Sequence, residues 1–566
     1  MRPGRVLVAL IFFALAWSLV FLSLTCSSSD PKPLASAGAP IVTNLYDNGR
    51  SGATTHETTL TTSNVGRATF GLQFSRAIDG FIYGHVLYMP KLTINKAKHN
   101  VIFAATEANM VYAFDADDPK AEDPLWTKML GAPMPLGAAL MLPDGTMVQA
   151  PPGYPSCQDL KPSGRVGITS TPVIDPASRT LYVVSKTRES QGDQQTLHAL
   201  DLLTGDERGT PVRIAAPGFM PTLHLNRPGL LLQDGVIYIG FGSHCDDRKE
   251  LYHGWIFADD ATTLEQRGFY NTTPTGQAAA IWQSGVGLTG DGNGGVLAAT
   301  GNGTTSKGGT MTGMGGMAGG MAGAGGTAMP ATEDDGTNMI FSVIRVKLGD
   351  TGLGLANYFF PPNTAALGMR DLDLATGVHL LPGGGAIAGG KEGMIYQLDD
   401  DLKPRADAFK VEVNPDSKRN SVLHMLAVWT GPSGLSVFTW PTGGGLTSIK
   451  LTDGLIDPKS VKSNTLRTPA HPGGSISISS NGTKAGTGIV WATIPALGDS
   501  WHDTAEGELL AFDAGDVSKV LWRSSEPGVT DNTLGKYAKF SPPVVANGRV
   551  YVATHDPKIM VYGLQP

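Results

Sequence analysis

Apolar and polar positions alternate along the chain in short bursts, and the bursts copy one another. Residues 101–106 (Val-Ile-Phe-Ala-Ala-Thr) lead through a tight turn to 110–115 (Met-Val-Tyr-Ala-Phe-Asp), and a third run opens with Leu125-Trp126. Period-two alternation rich in β-branched and aromatic residues predicts strands. The order returns at 181–184 with 197–201, at 236–240 with 254–257, at 296–300 with 341–346 and at 386–390 with 393–399. It returns again at 436–440 with 445–449, at 489–492 with 509–513 and 520–522, and at 550–554 with 559–562. A further short strand precedes each copy, as at 171–174, 228–232, 475–478 and 541–545. Four strands per unit at a spacing of roughly 60 residues predict an all-β, eight-bladed propeller with four-stranded antiparallel blades. Two stacked β-sandwiches would not explain why Asp closes the same strand in several copies, ahead of a turn and Leu-Trp.

The eighth unit stops after its third strand. Residues 68–75 (Ala-Thr-Phe-Gly-Leu-Gln-Phe-Ser) read as a strand with no place in the first unit. They are predicted to close the last blade by pairing with the strand at 520–522 or 559–562, so that no long edge stays open.

Composition supports many short strands and turns: Gly 73 and Pro 38 among 566 residues, with 16% charged residues. A net charge of −7 argues against a nucleic-acid partner. Residues 1–25 read as a signal peptide, with Arg2 and Arg5 ahead of a nearly unbroken apolar stretch over 6–24. Residues 26–41 then read as a flexible tether, and 42–566 as a single propeller domain. Cys26 stands where a bacterial lipoprotein carries its lipid, although Ser23 and Thr25 depart from the usual residues of that signal. Lipidation at Cys26, plain secretion and an uncleaved anchor all put the body outside the cytoplasm, in the periplasm or at the cell surface. Residues 305–337, rich in Gly, Ala and Met, read as a disordered insertion in blade four. Met311, Met314, Met317 and Met321 could hold Cu(I) through thioethers, but no His or Cys accompanies them. With Cys26 set aside, Cys157 and Cys245 form an even pair, predicting one disulfide in an oxidising compartment or else two buried thiols.

The recurring Val-Tyr-Ala-Phe-Asp-Ala followed by Leu-Trp resembles the repeat of pyrroloquinoline quinone (PQQ) dehydrogenase-like propellers. The strings at 167–175, 226–232, 242–246 with 252–255, and 281–284 resemble a bacterial extracytoplasmic group of PQQ-like repeat proteins. The resemblance implies the fold. It leaves chemistry open, because the superfamily holds both quinoprotein dehydrogenases and cofactor-free scaffolds.

A propeller binds at the mouth of its central channel. His85, Ser170, Arg227, Trp282, Gln283 and Ser284 fall near innermost-strand ends and are the candidate ligand-binding residues, against a structural role in bonding water and frayed strand ends. His244, Asp246 and His253, with Cys245, are weak metal candidates in a loop of blade three. Lys391-Glu392 falls in a tight hairpin of blade five and reads as a turn. Quinoprotein alcohol dehydrogenases stack a disulfide-linked pair of adjacent Cys on one face of PQQ and a Trp on the other, and hold Ca²⁺ through acidic and amide oxygens. This chain has no adjacent Cys pair, and Asp175 and Asp246 are the nearest carboxylates to assign. The expectation is therefore a cofactor-free binding or scaffold protein, probably absent from that alternative only by its residues: a monomer tethered to the membrane by lipid, taking a protein or glycan ligand. The alternative is a periplasmic oxidoreductase using PQQ with Ca²⁺ on alcohols or sugars.

Overall fold

The computed structural model describes Met1 and residues 38–136, 140–141, 147–148, 163–190, 192–244, 251–305, 336–411, 422–466, 471–500, 503–525 and 532–565. The chain divides into two units, Met1–Ala35 and Ser36–Pro566. Everything below concerns the second. Cys26, Cys157, Cys245, Asp246 and residues 306–335 lie outside the described residues, and with them the lipid site, the disulfide and the Met-rich insertion.

Eight antiparallel sheets follow one another along the chain, each with its innermost strand first. Those strands are Leu87–Ile94, Val173–Asp175, Leu231–Gln233, Thr289–Gly290, Val378–Leu380, Ala427–Gly431, Ser475–Ser479 and Val544–Ala546, for blades one to eight. Buried apolar side chains form a cluster between each neighbouring pair of blades, including one that joins Tyr88, Ile102 and Phe114 of blade one to Val544, Tyr551 and Val561 of blade eight. The ring is closed. Its last outer strand is Phe70–Ala77, which pairs antiparallel with Lys558–Leu564 from Phe70↔Leu564 to Ala77↔Lys558. This is the second of the two partners expected from sequence.

The recurring Asp and Trp now have physical reasons. Each Asp folds the turn that follows its strand by accepting backbone N–H groups: Asp115 Oδ1 from Asp117 and Asp118, Asp201 Oδ1 from Leu203, Asp260 Oδ1 from Thr262 and Thr263, Asp513 Oδ1 from Gly515. Trp126 of blade one reaches across to blade two. Its indole N–H donates to Leu202 O at 3.0 Å, and its ring lies so close to Gly205 that a Cβ there would sit 2.6 Å from Trp126 Cε3.

The N-terminal segment ahead of the closing strand does something the pattern did not predict. Residues 41–57 form a strap along the channel that bonds to all eight blades in order. Ile41 exchanges two backbone bonds with Tyr88 in blade one, and Val42 O accepts from Ile174 in blade two. Asn48 Nδ2 donates to Leu232 O in blade three, and Asn48 O accepts from Gly290 in blade four. Gly49 O, Ser51 O and Gly52 O accept from Leu380, Val428 and Ile478 in blades five, six and seven. The strap strand Ala53–Thr54 runs parallel to Ser475–Ser479, and Glu57 Oε2 accepts from Gly548 in blade eight at 2.9 Å. Arg50 is the hub. Fully buried, it donates to Thr43 Oγ1 and to the carbonyls of Asn44, Leu230 and Leu288.

Candidate functional site: the mouth of the channel

In a four-stranded antiparallel blade, the start of the innermost strand and the turn between strands two and three share one end. That end of the ring carries every candidate ligand-binding residue. His85, Ser170, Arg227 and the trio Trp282, Gln283 and Ser284 lie on the segments entering blades one to four, and all but the partly exposed Trp282 are buried.

The structure links some of them to residues the sequence did not single out. Ser284 Oγ lies 2.9 Å from His424 Nδ1, on the segment entering blade six. The His424 ring lies 5.9 Å from Trp282, 5.0 Å from Phe540 and 4.7 Å from His471. Arg227 donates to Tyr83 O at 3.2 Å and lies over the rings of Tyr83 and Phe540, at 5.7 and 5.6 Å. Gln283 is absorbed locally: it donates to Val286 O and Gly287 O and accepts from the Ala299 amide. Gln283 and Ser284 both hold positive φ, 47° and 50°, in the short helical turn Gln283–Gly285. The strap forms part of the floor. Leu45 N–H donates to His85 Nδ1 at 3.3 Å, and Asn44 bonds both Thr171 Oγ1 and the Gly287 amide.

The carboxylates at the mouth are Asp371, Asp373 and Glu107. Asp175 instead caps a turn at the far end of its strand, accepting from the Ala177 amide. Lys391 is in a tight hairpin as expected, but its ammonium reaches Asp373 at 2.6 Å and Asp371 at 3.3 Å and lies 5.3 Å from the Trp282 ring centre. Asn302 joins them, its amide N–H on Asp373 Oδ1 at 2.9 Å and its side chain on Asp371 Oδ1 at 2.5 Å.

The metal candidates separate. His244 Nε2 pairs with Lys186 Nζ at 2.6 Å, while His253 Nδ1 pairs with Thr273 Oγ1 at 2.9 Å. Among the described residues no group of three or more His, Cys, Asp or Glu is placed to hold a metal ion.

Burial controls the charge of the mouth. It drives His85 and His555 down to about 3, helped by Arg227 in both cases, and His424 well below its usual value, helped by Lys391 and Lys539. These imidazoles are neutral at physiological pH. Burial pushes Glu107 up to about 7 against the Gly167 N–H it accepts, and pulls Lys186 down to about 7.

No protein-family model and no curated protein matches this sequence. Solved structures do match. Quinohemoprotein alcohol dehydrogenase from Comamonas testosteroni superposes with a TM-score of 0.54 at 13% identity, over 93% of this chain and 80% of that one. Quinohemoprotein alcohol dehydrogenase ADHIIG from Pseudomonas putida HK5 gives 0.53 at 12%, over 93% and 80%. A europium-containing methanol dehydrogenase gives 0.53 at 12%, over 93% and 98%. At such identities the likeness establishes the fold: an eight-bladed propeller of the quinoprotein type. No helix among the described residues is long and apolar enough to cross a membrane.

The residues at the mouth do not fit a quinone with its metal as they stand. The oxygens of Asp371, Asp373 and Asn302 converge, but the Lys391 ammonium takes the place a cation would fill. Trp282 offers one ring face, and the sequence has no adjacent Cys pair for the other.

Proposed function

We propose that this chain is an exported binding protein, tethered through Cys26, that takes a protein or glycan ligand at the channel mouth without catalysis. One observation carries the reading. Ser170 Oγ, His424 Nε2 and His555 Nε2 are buried at the mouth with no hydrogen-bond partner among the described residues, beside Arg227 and the partly exposed Trp282. A buried polar atom left unbonded costs about 1–3 kcal/mol, so a ligand that bonds these atoms gains more than one held on a paired surface. Trp282 supplies a face for a sugar ring or an aromatic side chain.

The second reading is a PQQ-dependent oxidoreductase. It is favoured by two carboxylates and an amide, Asp371, Asp373 and Asn302, gathered around Lys391 beside Trp282. Calorimetry of the purified chain with PQQ and Ca²⁺, with dye reduction over alcohols and sugars, separates the two. The expected result is neither binding nor turnover, together with glycan- or protein-array binding that Trp282→Ala abolishes. Tight PQQ binding with turnover would replace the first reading with the second.

A further inference from the structure

We propose that the channel itself is a binding site for an extended peptide, and that the chain's own residues 41–57 are its resident occupant. The strap is held as a bound peptide is held. Most of its bonds join its backbone to innermost strands, one blade after another, which gives affinity without demanding particular side chains. Specificity is concentrated in two positions. Asn44 bridges Thr171 and Gly287 of blades two and four. Arg50 inserts a guanidinium into a pocket of oxygens, the carbonyls of Leu230 and Leu288 with Thr43 Oγ1 and Asn44 O from the strap itself, and His379 Nδ1 lies 2.6 Å from its own carbonyl. A fork of N–H donors meeting carbonyl oxygens is a recognition element for arginine, since Lys could not span the same acceptors. The ligand class is thus an extended segment bearing Asn and, six residues later, Arg.

The strap is also separable by geometry. It continues into the closing strand Phe70–Ala77 through residues 58–69, where Arg67, Ala68 and Thr69 are exposed. A protease site inserted between Arg67 and Ala68 of the full chain permits cutting after folding. After the cut, the N-terminal fragment should stay with the ring through gel filtration, and labelled peptide 38–67 should slowly replace it. The same peptide carrying Arg50→Met should enter about a hundredfold less well. Departure of the fragment with no uptake of peptide, while the β-sheet signal persists, would overturn the proposal. So would loss of the sheet signal on cutting, which would make the strap an inseparable part of the core. Hydrogen exchange on the uncut chain gives an independent reading. The amides of Leu380, Val428 and Ile478 donate to the strap and should exchange faster than amides paired within the same blades. Equal protection would count against a detachable occupant.

Discussion

Glu107 carries a fully buried carboxyl whose ionisation is displaced upward to about 7 from an ordinary value of 4.5, because burial opposes its charge. Below pH 4.5 the group is neutral whether the chain is folded or not. Between 4.5 and 7 the unfolded chain ionises while the folded one does not, so stability falls as pH rises; above 7 the whole penalty is present. Glu107→Gln has no such penalty. Its melting temperature relative to wild type should rise from pH 4.5 to 7 and then level off, by the equivalent of about 3 kcal/mol at most. A pH-independent difference in thermal scans would show that Glu107 ionises normally. Lys186 titrates in the adjoining window, since burial pulls it from 10.5 to about 7, and does not mask this slope. At Gly205 the constraint is steric. Its φ of +75° and the Trp126 ring 2.6 Å from any Cβ predict that Gly205→Ala costs about 1–3 kcal/mol and shifts the tryptophan emission. Cys157 and Cys245 are expected to form a bridge, and non-reducing peptide mapping that finds both thiols free would remove it.

At the scale of elements, the outer strand Phe70–Ala77 shows what a sequence exposes and what it hides. It was legible because Phe70 and Leu72 alternate with polar neighbours and because the last repeat lacked a strand. The Asp at strand ends and the Trp after it were legible for the same reason, since both recur at a fixed place in the unit. The strap was not. Residues 41–57 contain few apolar positions and bond mainly through their backbone, so no periodicity marks them. The carboxylates at the mouth were hidden differently. Asp371 and Asp373 meet Lys391 and Asn302 only because loops of neighbouring blades converge there, and Lys391 by itself reads as an ordinary hairpin residue. Deleting residues 42–78 removes both the strap and the outer strand. It should lower the melting temperature sharply, and an unchanged value in calorimetry would mean that neither element closes the ring.

For the whole molecule, the open question of attachment is chemical. If Cys26 carries lipid, intact-mass analysis of the protein from membranes should find the mature chain beginning there with an acylated cysteine. An unmodified N-terminus beyond Cys26 would make the protein freely secreted. The closed ring adds a consequence for how the chain is made. The strap and outer strand are synthesised first, yet their partners at Gly548 and at Lys558–Leu564 are synthesised last. Seven blades have their strands in sequence and can form from local contacts, whereas joining Phe70 to Leu564 waits for nearly the entire polypeptide. Contacts so distant in sequence are slow to form. Refolding should therefore show two stages, fast growth of sheet signal as blades assemble and a slower step as the first segment made becomes the last one seated. Until then an early-born arm and an incomplete eighth sheet are both exposed, and any chaperone that guards this protein during biogenesis has those two ends of the chain to hold.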